Sequence, residues 1–423
     1  MEISDSRTYK NFVYLTPTFR SDAKEELKPF ESRWTHNMLI HGAPGTGKSR
    51  MIDDEAKKNF SPESIRRVTF YEDYSYEKFV GAYMPVQKDK RTSLSFDGKN
   101  GSAIGDGISY EFKPGIMAQM LAEAYASLLG KYLLDNRVDK TVSIDELYTV
   151  KDAKKYLLII EEINRAPAAS VFGDMFQLLD RKTGGTSEYS INISDEFKGW
   201  FADRVTAICS ELYEKDFDNI SENIGNAAML IASNLRLPPN LYIWATMNSA
   251  DQGVFPLDSA FKRRWSYLYK SVLDNRKETK RDICLPGNKK IDWDDFRTEL
   301  NKAITEAGCT EEDKLIGTWY FNDNDFNAME AIYAADSESD SGRMINPLCD
   351  KLIAYLLGDV FRNNPEAFFG DGFTAMSKIR EYLNNSNADL DKIFKKFSTK
   401  KLVQKSSVPD TDDSAVKEPT DVN

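Results

Sequence analysis

Short apolar runs alternate with amphipathic stretches through the first two thirds of the chain. Four segments have the length and residue content of strands: residues 38–40, 65–71, 156–160 and 241–246. Helical spacing of apolar residues separates them after residue 49, at 115–130, at 171–179 and at roughly 197–213. Residues 156–160 (YLLII) are apolar throughout, as is typical of a central parallel strand that is covered on both faces. The alternation predicts an α/β fold, a parallel sheet between layers of helices, with ligands at the carboxyl ends of the strands.

The same patterns predict four parts in the chain. Residues 1–35 are mixed and polar and predict an N-terminal arm, whereas the alternation of strands and helices fills residues 36–270. Residues 271–385 are mainly helical in pattern and predict a smaller second domain. We expect residues 386–423 to form a disordered tail, because large apolar residues become few from about residue 404. Inside the first domain, residues 85–110 are polar and glycine-rich and predict an exposed hairpin or loop.

Charge and cysteine content narrow the class of protein. The 423 residues include 56 Lys and Arg against 67 Asp and Glu, and a net charge of −11 argues against a surface that grips nucleic-acid phosphates unaided. The four cysteines contain no CxxC pair, so we expect reduced core thiols rather than a zinc site or a disulfide framework. No apolar run approaches the roughly 18 residues of a membrane span, and the first residues lack the pattern of a signal peptide. The sequence therefore predicts a cytoplasmic protein without a membrane partner.

Residues 42–49 (GAPGTGKS), the phosphate loop, match the pattern GxxxxGK followed by Ser or Thr in full. In such a loop the glycines let backbone N–H groups converge on the β-phosphate, while the lysine neutralises the β and γ oxygens. The predicted nucleotide-binding residues are Gly42, Ala43, Pro44, Gly45, Thr46, Gly47, Lys48 and Ser49. The hydroxyl of Ser49 is also a predicted Mg²⁺ ligand. The loop therefore predicts binding of a nucleoside triphosphate with Mg²⁺.

Glu161 and Glu162, the acidic pair, end the apolar run 156–160. A carboxylate at a strand end can hold the water shell of Mg²⁺, and the next one can polarise the attacking water. We assign the metal to Glu161 and the general base to Glu162. Most such sites have Asp in the first position, so the longer Glu161 must fold back or reach the ion through water. The predicted strand 241–246 is followed by Asn248, whose carboxamide could orient the lytic water or touch the γ-phosphate.

Arg263 and Arg264, the arginine pair, follow a short helical segment that begins after Pro256-Leu257-Asp258. Two adjacent arginines in such a place can reach the γ-phosphate bound by a neighbouring subunit and stabilise the charge that develops there. A solvated helix face remains the alternative for the pair.

Three segments together carry a resemblance to a known family. EEINRA, FGDMFQLLDR and ATMNSADQGVFPLDSAFKRRW resemble the AAA+ NTPase domain of the McrB family, in the dynein-related AAA branch. This family supplies the motor subunits of modification-dependent restriction systems. FYEDYSYEKFVGAY and YEFKPG are similar to a stretch between its Walker motifs, and KLIGTWYF resembles the start of its helical lid domain. The resemblance covers roughly residues 36–360 and implies an AAA+ P-loop fold followed by a lid.

The resemblance also implies roles for single residues. It makes Asn248 the sensor-1 asparagine, and Arg263 and Arg264 the arginines that act on a neighbouring subunit. Asn164 and Arg165 would lie beside the site and assist hydrolysis or contact a neighbour. The chain departs from the pattern at Glu161, at Gln252 where the best-known member has a basic residue, and in its short arm where that member carries a DNA-reading domain.

As a function, the resemblance implies a Mg²⁺-dependent NTPase that forms a homo-oligomeric ring and works with a nuclease-type partner, which would also supply the contact with DNA. ATP and GTP both remain open as the substrate: Asn288-Lys289 is followed by Lys290-Ile291, so the guanine-reading NKxD pattern is absent there. Two alternatives remain. One is a nucleotide-gated scaffold, and the other is a protein-remodelling ATPase similar to the MoxR or dynein-related branch.

Overall fold

The computed structural model describes residues 32–87, 108–136, 142–212, 217–248, 254–273, 281–333, 345–385, 388–400 and 402. The strands in these ranges are β1 (Asn37–His41), β2 (Ile65–Thr69), β3 (Gly81–Gln87), β4 (Ile108–Pro114), β5 (Tyr156–Glu161), β6 (Leu241–Met247), β7 (Ser266–Tyr269), β8 (Asp282–Leu285) and β9 (Lys289–Asp292). The α-helices are α1 (Lys48–Asn59), α2 (Tyr76–Phe79), α3 (Ile116–Asn136), α4 (Ile144–Leu147), α5 (Ala168–Phe172), α6 (Asp195–Leu212), α7 (Phe217–Ser233), α8 (Ser259–Lys262), α9 (Trp293–Glu306), α10 (Asp323–Tyr333), α11 (Met376–Leu383) and α12 (Leu390–Ile393). Short 3₁₀ helices lie at Pro62–Ser64, Ile163–Arg165, Gly173–Leu179, Glu312–Lys314 and Pro365–Ala367, and π-helical turns lie at Leu348–Ile353 and Leu356–Val360.

A five-stranded sheet has the strand order β2-β5-β6-β1-β7. Strand β5 runs parallel to both of its neighbours, with Glu161 opposite Thr69 of β2 and Ile160 opposite Ala245 of β6. Leu157 and Ile160 are fully buried, because helices cover both faces of a parallel sheet of this kind. The predicted α/β fold with a central parallel strand at 156–160 is confirmed. Strand β6 lies between β1, which leads into the phosphate loop, and β5, which ends in the acidic pair.

The predicted hairpin in residues 85–110 is confirmed in its two arms. Strands β3 and β4 pair antiparallel along their whole length, from Gly81 opposite Pro114 to Gln87 opposite Ile108. Phe112 of β4 stacks on Phe197 of α6, with ring centroids 4.6 Å apart, so one face of the hairpin is packed. Residues 88–107, the rest of the predicted loop, lie outside the described part of the chain.

The helix expected at roughly 197–213 is α6, and a second helix that the sequence reading missed, α7, follows it. Ile224, Ala228 and Ile231 of α7 are buried, at the three- and four-residue spacing of one helix face. That spacing is visible in the sequence and would have predicted α7. Within the described ranges, no helix combines the length and the apolar character needed to cross a membrane.

The described residues form two compact units. One includes the described parts of Met1–Leu39, Ile52–Thr246 and Gly253–Tyr267, and the other those of Ile40–Met51, Met247–Gln252 and Leu268–Asn423. The phosphate loop thus groups with the C-terminal part of the chain, which the sequence pattern did not indicate. The boundaries 35/36, 270/271 and 385/386 stay predictions.

The core of the second unit is built around Trp293 at the start of α9. Its indole nitrogen donates a 2.7 Å hydrogen bond to the carbonyl oxygen of Thr318, and its ring lies 5.0 Å from that of Phe321. The antiparallel pair β8–β9, which precedes α9, was not expected in a domain predicted to be helical. The rest of the unit is mainly helical, as the pattern of residues 293–385 predicts.

The prediction of disorder for residues 386–423 is wrong for residues 388–400 and Leu402. Helix α12 lies in this segment, and Phe394, Phe397 and Leu402 belong to the buried core of the second unit. The physical reason is that these apolar side chains remove enough surface from water to offset the entropy of ordering a short segment. Residues 403–423 lie outside the described part of the chain.

All four cysteines are unpaired thiols, and Cys209, Cys284 and Cys349 are buried, whereas Cys309 is half-buried. Burial raises the pKa of Cys209 to about 12 and that of Cys349 to about 11, where the neighbouring Asp350 adds to the effect. The predicted position in the core is confirmed for the three buried cysteines.

Candidate nucleotide-binding site

The phosphate loop follows directly from β1 and depends on its glycines. Gly42, Gly45 and Gly47 have φ angles of 151°, 70° and 85°, which L side chains rarely adopt. A Cβ atom on Gly42 would also lie 2.3 Å from the carbonyl oxygen of Lys270. Helix α1 begins immediately after these turns, since the amide of Met51 donates a 2.9 Å hydrogen bond to the carbonyl of Gly47. The loop therefore presents backbone amides at the N-terminus of a helix, which is a favourable place for a phosphate.

Lys48 lies folded over the phosphate loop and is only 8 % exposed. Its ammonium donates hydrogen bonds of 2.8 and 2.9 Å to the carbonyl oxygens of Gly42 and Ala43. The hydroxyl of Thr46 donates to the same Ala43 carbonyl at 2.9 Å, while Ser49 in the first turn of α1 is exposed. A buried ammonium, three glycines with positive φ and a helix N-terminus make a donor set that fits a triphosphate with Mg²⁺.

Residues 317–320, which we call the lid segment, contact the backbone of the phosphate loop. The amide of Trp319 donates a 2.6 Å hydrogen bond to the carbonyl of Gly45, and the amide of Gly317 donates to that of Pro44 at 3.2 Å. The approach is so close that a Cβ atom on Gly317 would lie 2.3 Å from the carbonyl carbon of Gly45. The predicted start of the lid, KLIGTWYF, is therefore bonded to the loop that carries the nucleotide motif.

A cation–π contact strengthens this docking. The guanidinium of Arg50, in the first turn of α1, lies 4.0 Å from the ring centroid of Trp319. No sequence motif assigns a role to Arg50 or Trp319 individually. Their contact could not be predicted from the sequence, because the arginine directly after GKS and the aromatic residue of the lid segment are far apart along the chain.

The two carboxylates of the acidic pair lie in different surroundings. Glu161 is the last residue of β5; Arg67 of β2 forms an ion pair with it, and the hydroxyl of Thr246 donates to its other oxygen at 2.5 Å. Glu162 has left-handed backbone angles, φ 55° and ψ 48°, which are costly for a residue with a side chain. Its amide donates to the Thr246 hydroxyl at 3.2 Å, and its carboxylate lies 3.7 Å from the Nε of Arg165. Strain at a carboxylate that follows a central strand is typical of a functional position.

The two predicted asparagines lie just after the ends of β5 and β6. Asn164 lies in the 3₁₀ helix Ile163–Arg165 and is 3 % exposed, and its backbone carbonyl accepts a 2.7 Å hydrogen bond from the amide of Phe255. Asn248 follows β6 directly and is half-buried. Gln252, with residues 249–253 around it, lies outside the described part of the chain.

The arginine pair follows α8, whose N-terminus is capped by Asp258 through a 2.6 Å bond to the amide of Phe261. Arg263 is 67 % exposed, with its guanidinium 3.8 Å from Asp180. Arg264 is only 8 % exposed, pairs with Asp180 at 2.8 Å and lies 4.0 Å from the ring centroid of Phe176. The sequence treats the two arginines alike, whereas the fold buries one and leaves the other in solvent.

Comparison with known proteins identifies the family. Residues 117–265 match the model of the AAA domain, dynein-related subfamily. The chain is 35 % identical over 364 residues to the type II restriction enzyme BsuMI component YdiS of Bacillus subtilis, covering 83 % of this chain and 87 % of that protein. It is 24 % identical over 346 residues to the type IV methyl-directed restriction enzyme EcoKMcrB subunit of Escherichia coli, covering 78 % of this chain and 54 % of that subunit. The chain belongs to the McrB-like AAA+ family.

The resemblance drawn from the motifs is thereby confirmed. This McrB-like AAA+ protein is related to subunits of restriction systems, and the matched residues 117–265 contain the acidic pair, both asparagines and the arginine pair. The chain spans about half the length of the Escherichia coli subunit, 54 %. The activity of that whole subunit therefore does not follow from membership in the family. The roles of the single site residues remain predictions.

Proposed function

We propose that this McrB-like AAA+ protein is a Mg²⁺-dependent nucleoside triphosphatase that hydrolyses ATP or GTP. The observation that carries the proposal is the phosphate loop, with positive φ at Gly42, Gly45 and Gly47 and a buried Lys48 ammonium. Such a loop binds phosphate because amide hydrogens and one ammonium supply the positive charge that a triphosphate requires. Membership in an AAA+ family supports the same function.

The proposed roles divide binding from chemistry. Lys48 and the loop amides hold the β- and γ-phosphates, and Ser49 and Glu161 hold Mg²⁺, which neutralises charge on the phosphate oxygens when bound. Glu162 accepts a proton from the attacking water, and Asn248 orients that water by donating and accepting hydrogen bonds. The left-handed backbone at Glu162 supports a role that differs from that of its neighbour Glu161.

Two further residues complete the proposed machinery. Arg263, which extends into solvent, acts on the nucleotide of a neighbouring subunit in a homo-oligomeric ring. Asn164, with Arg165 beside it, assists hydrolysis or contacts that neighbour. A ring is the arrangement in which an exposed arginine becomes part of a site on another copy of the chain.

The proposed biological role is that of a ring motor subunit in a DNA restriction or defence system in the cytoplasm. Both named relatives are parts of restriction enzymes, one called a component and the other a subunit. We therefore propose a nuclease-type partner and contact with DNA through that partner, in agreement with a net charge of −11 on this chain.

The experiment that tests the triphosphatase is phosphate release from ATP and from GTP, measured side by side with excess Mg²⁺. Turnover of one of the two nucleotides by the wild type, lost in both Lys48→Ala and Glu162→Gln, supports the proposal. Absence of turnover with both nucleotides, in the presence of DNA and of a co-purified partner, contradicts it.

A nucleotide-gated scaffold is the second candidate, and one observation favours it. Glu161 is already paired with Arg67 and Thr246, so its carboxylate is engaged by the protein itself. If binding alone assembles a complex, single-turnover rates will stay at the basal level when DNA and partner are added. A rise in those rates on addition of DNA and partner would favour the motor.

A further inference from the structure

Strand β2 carries two adjacent arginines whose side chains lie on opposite faces of the strand. Arg67 has Thr69 on its own face, and Thr69 lies opposite Glu161 in the register of β2 and β5. The guanidinium of Arg67 therefore extends along the strand toward the carboxyl end of β5. Arg66 points the other way and pairs with Glu123 of α3 at 3.2 Å.

Arg67 holds two carboxylates at once. One terminal nitrogen of its guanidinium bonds the carboxylate of Glu161, and the other bonds that of Asp53 on α1. Helix α1 is the helix that begins at Lys48, so the guanidinium connects this helix to the end of β5. A planar guanidinium can do this because its nitrogens donate in fixed and divergent directions, which a lysine ammonium cannot reproduce.

The second oxygen of Glu161 accepts from the hydroxyl of Thr246, which also accepts the amide hydrogen of Glu162. Glu161 is thus held through both of its oxygens, and its side chain is 14 % exposed. A glutamate has one more rotatable bond than an aspartate and needs more support to keep a single orientation. Arg67 and Thr246 supply that support on strands either side of β5.

We propose that Arg67 is a positioning residue, which with Thr246 fixes the carboxylate of Glu161 and thereby sets how strongly the protein binds nucleotide with Mg²⁺. The inference rests on the proposed triphosphatase function and adds to it Arg67, which lies outside the motifs, and a role for the hydroxyl of Thr246. Partners that orient a metal-binding carboxylate typically contribute on the order of 10- to 100-fold to metal affinity.

The test measures binding rather than turnover, in a Glu162→Gln background that is expected to bind without hydrolysis. Fluorescence anisotropy of a labelled ATP or GTP analogue is followed as Mg²⁺ is titrated from zero. We expect Arg67→Met to raise the Mg²⁺ concentration for half-maximal binding about tenfold or more. Without Mg²⁺, the affinity for the analogue should equal that of the parent, since Lys48 and the loop amides are unchanged.

The chain offers a matched control on the same strand. Arg66→Met removes an ion pair with Glu123 on the opposite face, so it should leave the Mg²⁺ titration unchanged. Arg67→Lys should rescue the titration only in part, because one ammonium cannot serve Glu161 and Asp53 with the same geometry. An equal shift in Arg66→Met and Arg67→Met would overturn the inference, since it would show a general effect of weakening β2.

Thr246→Val is a second variant, which tests the positioning of Glu161 even if Arg67→Met does not fold. It removes one hydroxyl without changing the shape of the side chain, and we expect a shift of the Mg²⁺ titration in the same direction. An unchanged titration in Thr246→Val and Arg67→Met overturns the positioning role while leaving the proposed function intact. Failure of the parent to bind either analogue, at any Mg²⁺ concentration, overturns the proposed function and the inference with it.

Discussion

Arg264 and Asp180 form an ion pair with 2.8 Å between Nη2 and Oδ2, and the arginine side chain is 8 % exposed. Its neighbour Arg263 stands 67 % exposed at 3.8 Å from the same carboxylate. A side chain that is buried and paired within its own subunit cannot reach a phosphate on another subunit. The geometry therefore favours Arg263 over Arg264 as the arginine proposed to act on a neighbouring subunit, and we expect Arg264 to contribute to stability instead.

Replacement of Arg263 should therefore lower turnover, whereas replacement of Arg264 should lower stability. We expect Arg263→Ala to lower turnover by about a thousandfold with little change in stability. This is the effect of removing an arginine that stabilises the charge of the transition state for phosphoryl transfer. Arg264→Ala should lower the free energy of unfolding by about 3 kcal/mol, because it leaves Asp180 without its closest partner. Phosphate release and thermal unfolding of both variants check this. Equal losses of turnover with unchanged stability in both would contradict the division.

Mixing subunits tests whether Arg263 acts in trans. In the proposed ring, a mixture of Arg263→Ala and Lys48→Ala subunits would contain interfaces where an intact arginine faces an intact phosphate loop. We expect the mixture to recover part of the turnover that each variant lacks alone. No recovery, although the two variants co-assemble in size-exclusion chromatography, would argue that Arg263 acts within its own subunit.

Lys48 and Glu162 should separate binding from chemistry. Lys48→Ala removes the ammonium folded over the loop, so nucleotide affinity should fall below detection in calorimetric titration. Glu162→Gln keeps the shape of the side chain and removes its basicity, so affinity should be retained while turnover falls by at least about 100-fold. Phosphate release by Glu162→Gln at the rate of the wild type would refute its assignment as the base.

Docking of the lid segment on the phosphate loop predicts a steric effect at Gly317. A methyl group at this position would meet the backbone of Gly45 at 2.3 Å, and a backbone cannot turn aside as a flexible side chain can. We expect Gly317→Ala to lower nucleotide affinity about tenfold or more and to reduce the melting temperature. Gly358→Ala is the control in the same unit, since a Cβ atom there has no neighbour within 4 Å and Ala favours helix. Equal nucleotide affinity in the two variants would show that the docking does not shape the loop.

His36 predicts a pH dependence of stability. Burial lowers its pKa to about 4, and the positive charges of Arg181 and Lys155 act in the same direction, although the bond to the carbonyl of Pro239 opposes them. The folded pKa lies below the ordinary value of 6.5, so between pH 6.5 and 4 the unfolded state binds a proton that the folded state does not. The free energy of unfolding is therefore highest above pH 6.5 and falls as the pH is lowered toward 4. We expect the free energy of unfolding to fall by up to about 3 kcal/mol over this window.

Denaturant unfolding at several pH values checks the role of His36. The control is His36→Gln, which can still donate to Pro239 and carries no titrating group. Its stability should vary less between pH 6.5 and pH 4 than that of the wild type. An identical pH profile for both proteins would mean that other groups determine the acid sensitivity.

Local sequence patterns were sufficient to predict the parts of this protein whose structure depends on neighbouring residues along the chain. The apolar run of β5 must be covered on both faces wherever it lies, and the glycines of the phosphate loop permit backbone angles that other residues resist. Strand, loop and helix around Lys48 follow one another within a few residues. For the same reason α7 could have been predicted from its apolar spacing, and the prediction of disorder at residues 388–400 was wrong.

Only the tertiary structure distinguishes the two members of the arginine pair by burial. Arg263 and Arg264 are adjacent and identical in type, and only the position of Asp180, more than 80 residues earlier, separates them. Likewise, Arg67 became a partner of Glu161 because two strands distant in sequence pair in one register. Charge–charge interactions depend on distance in space and on burial, and neither quantity can be derived from the spacing of residues along a chain.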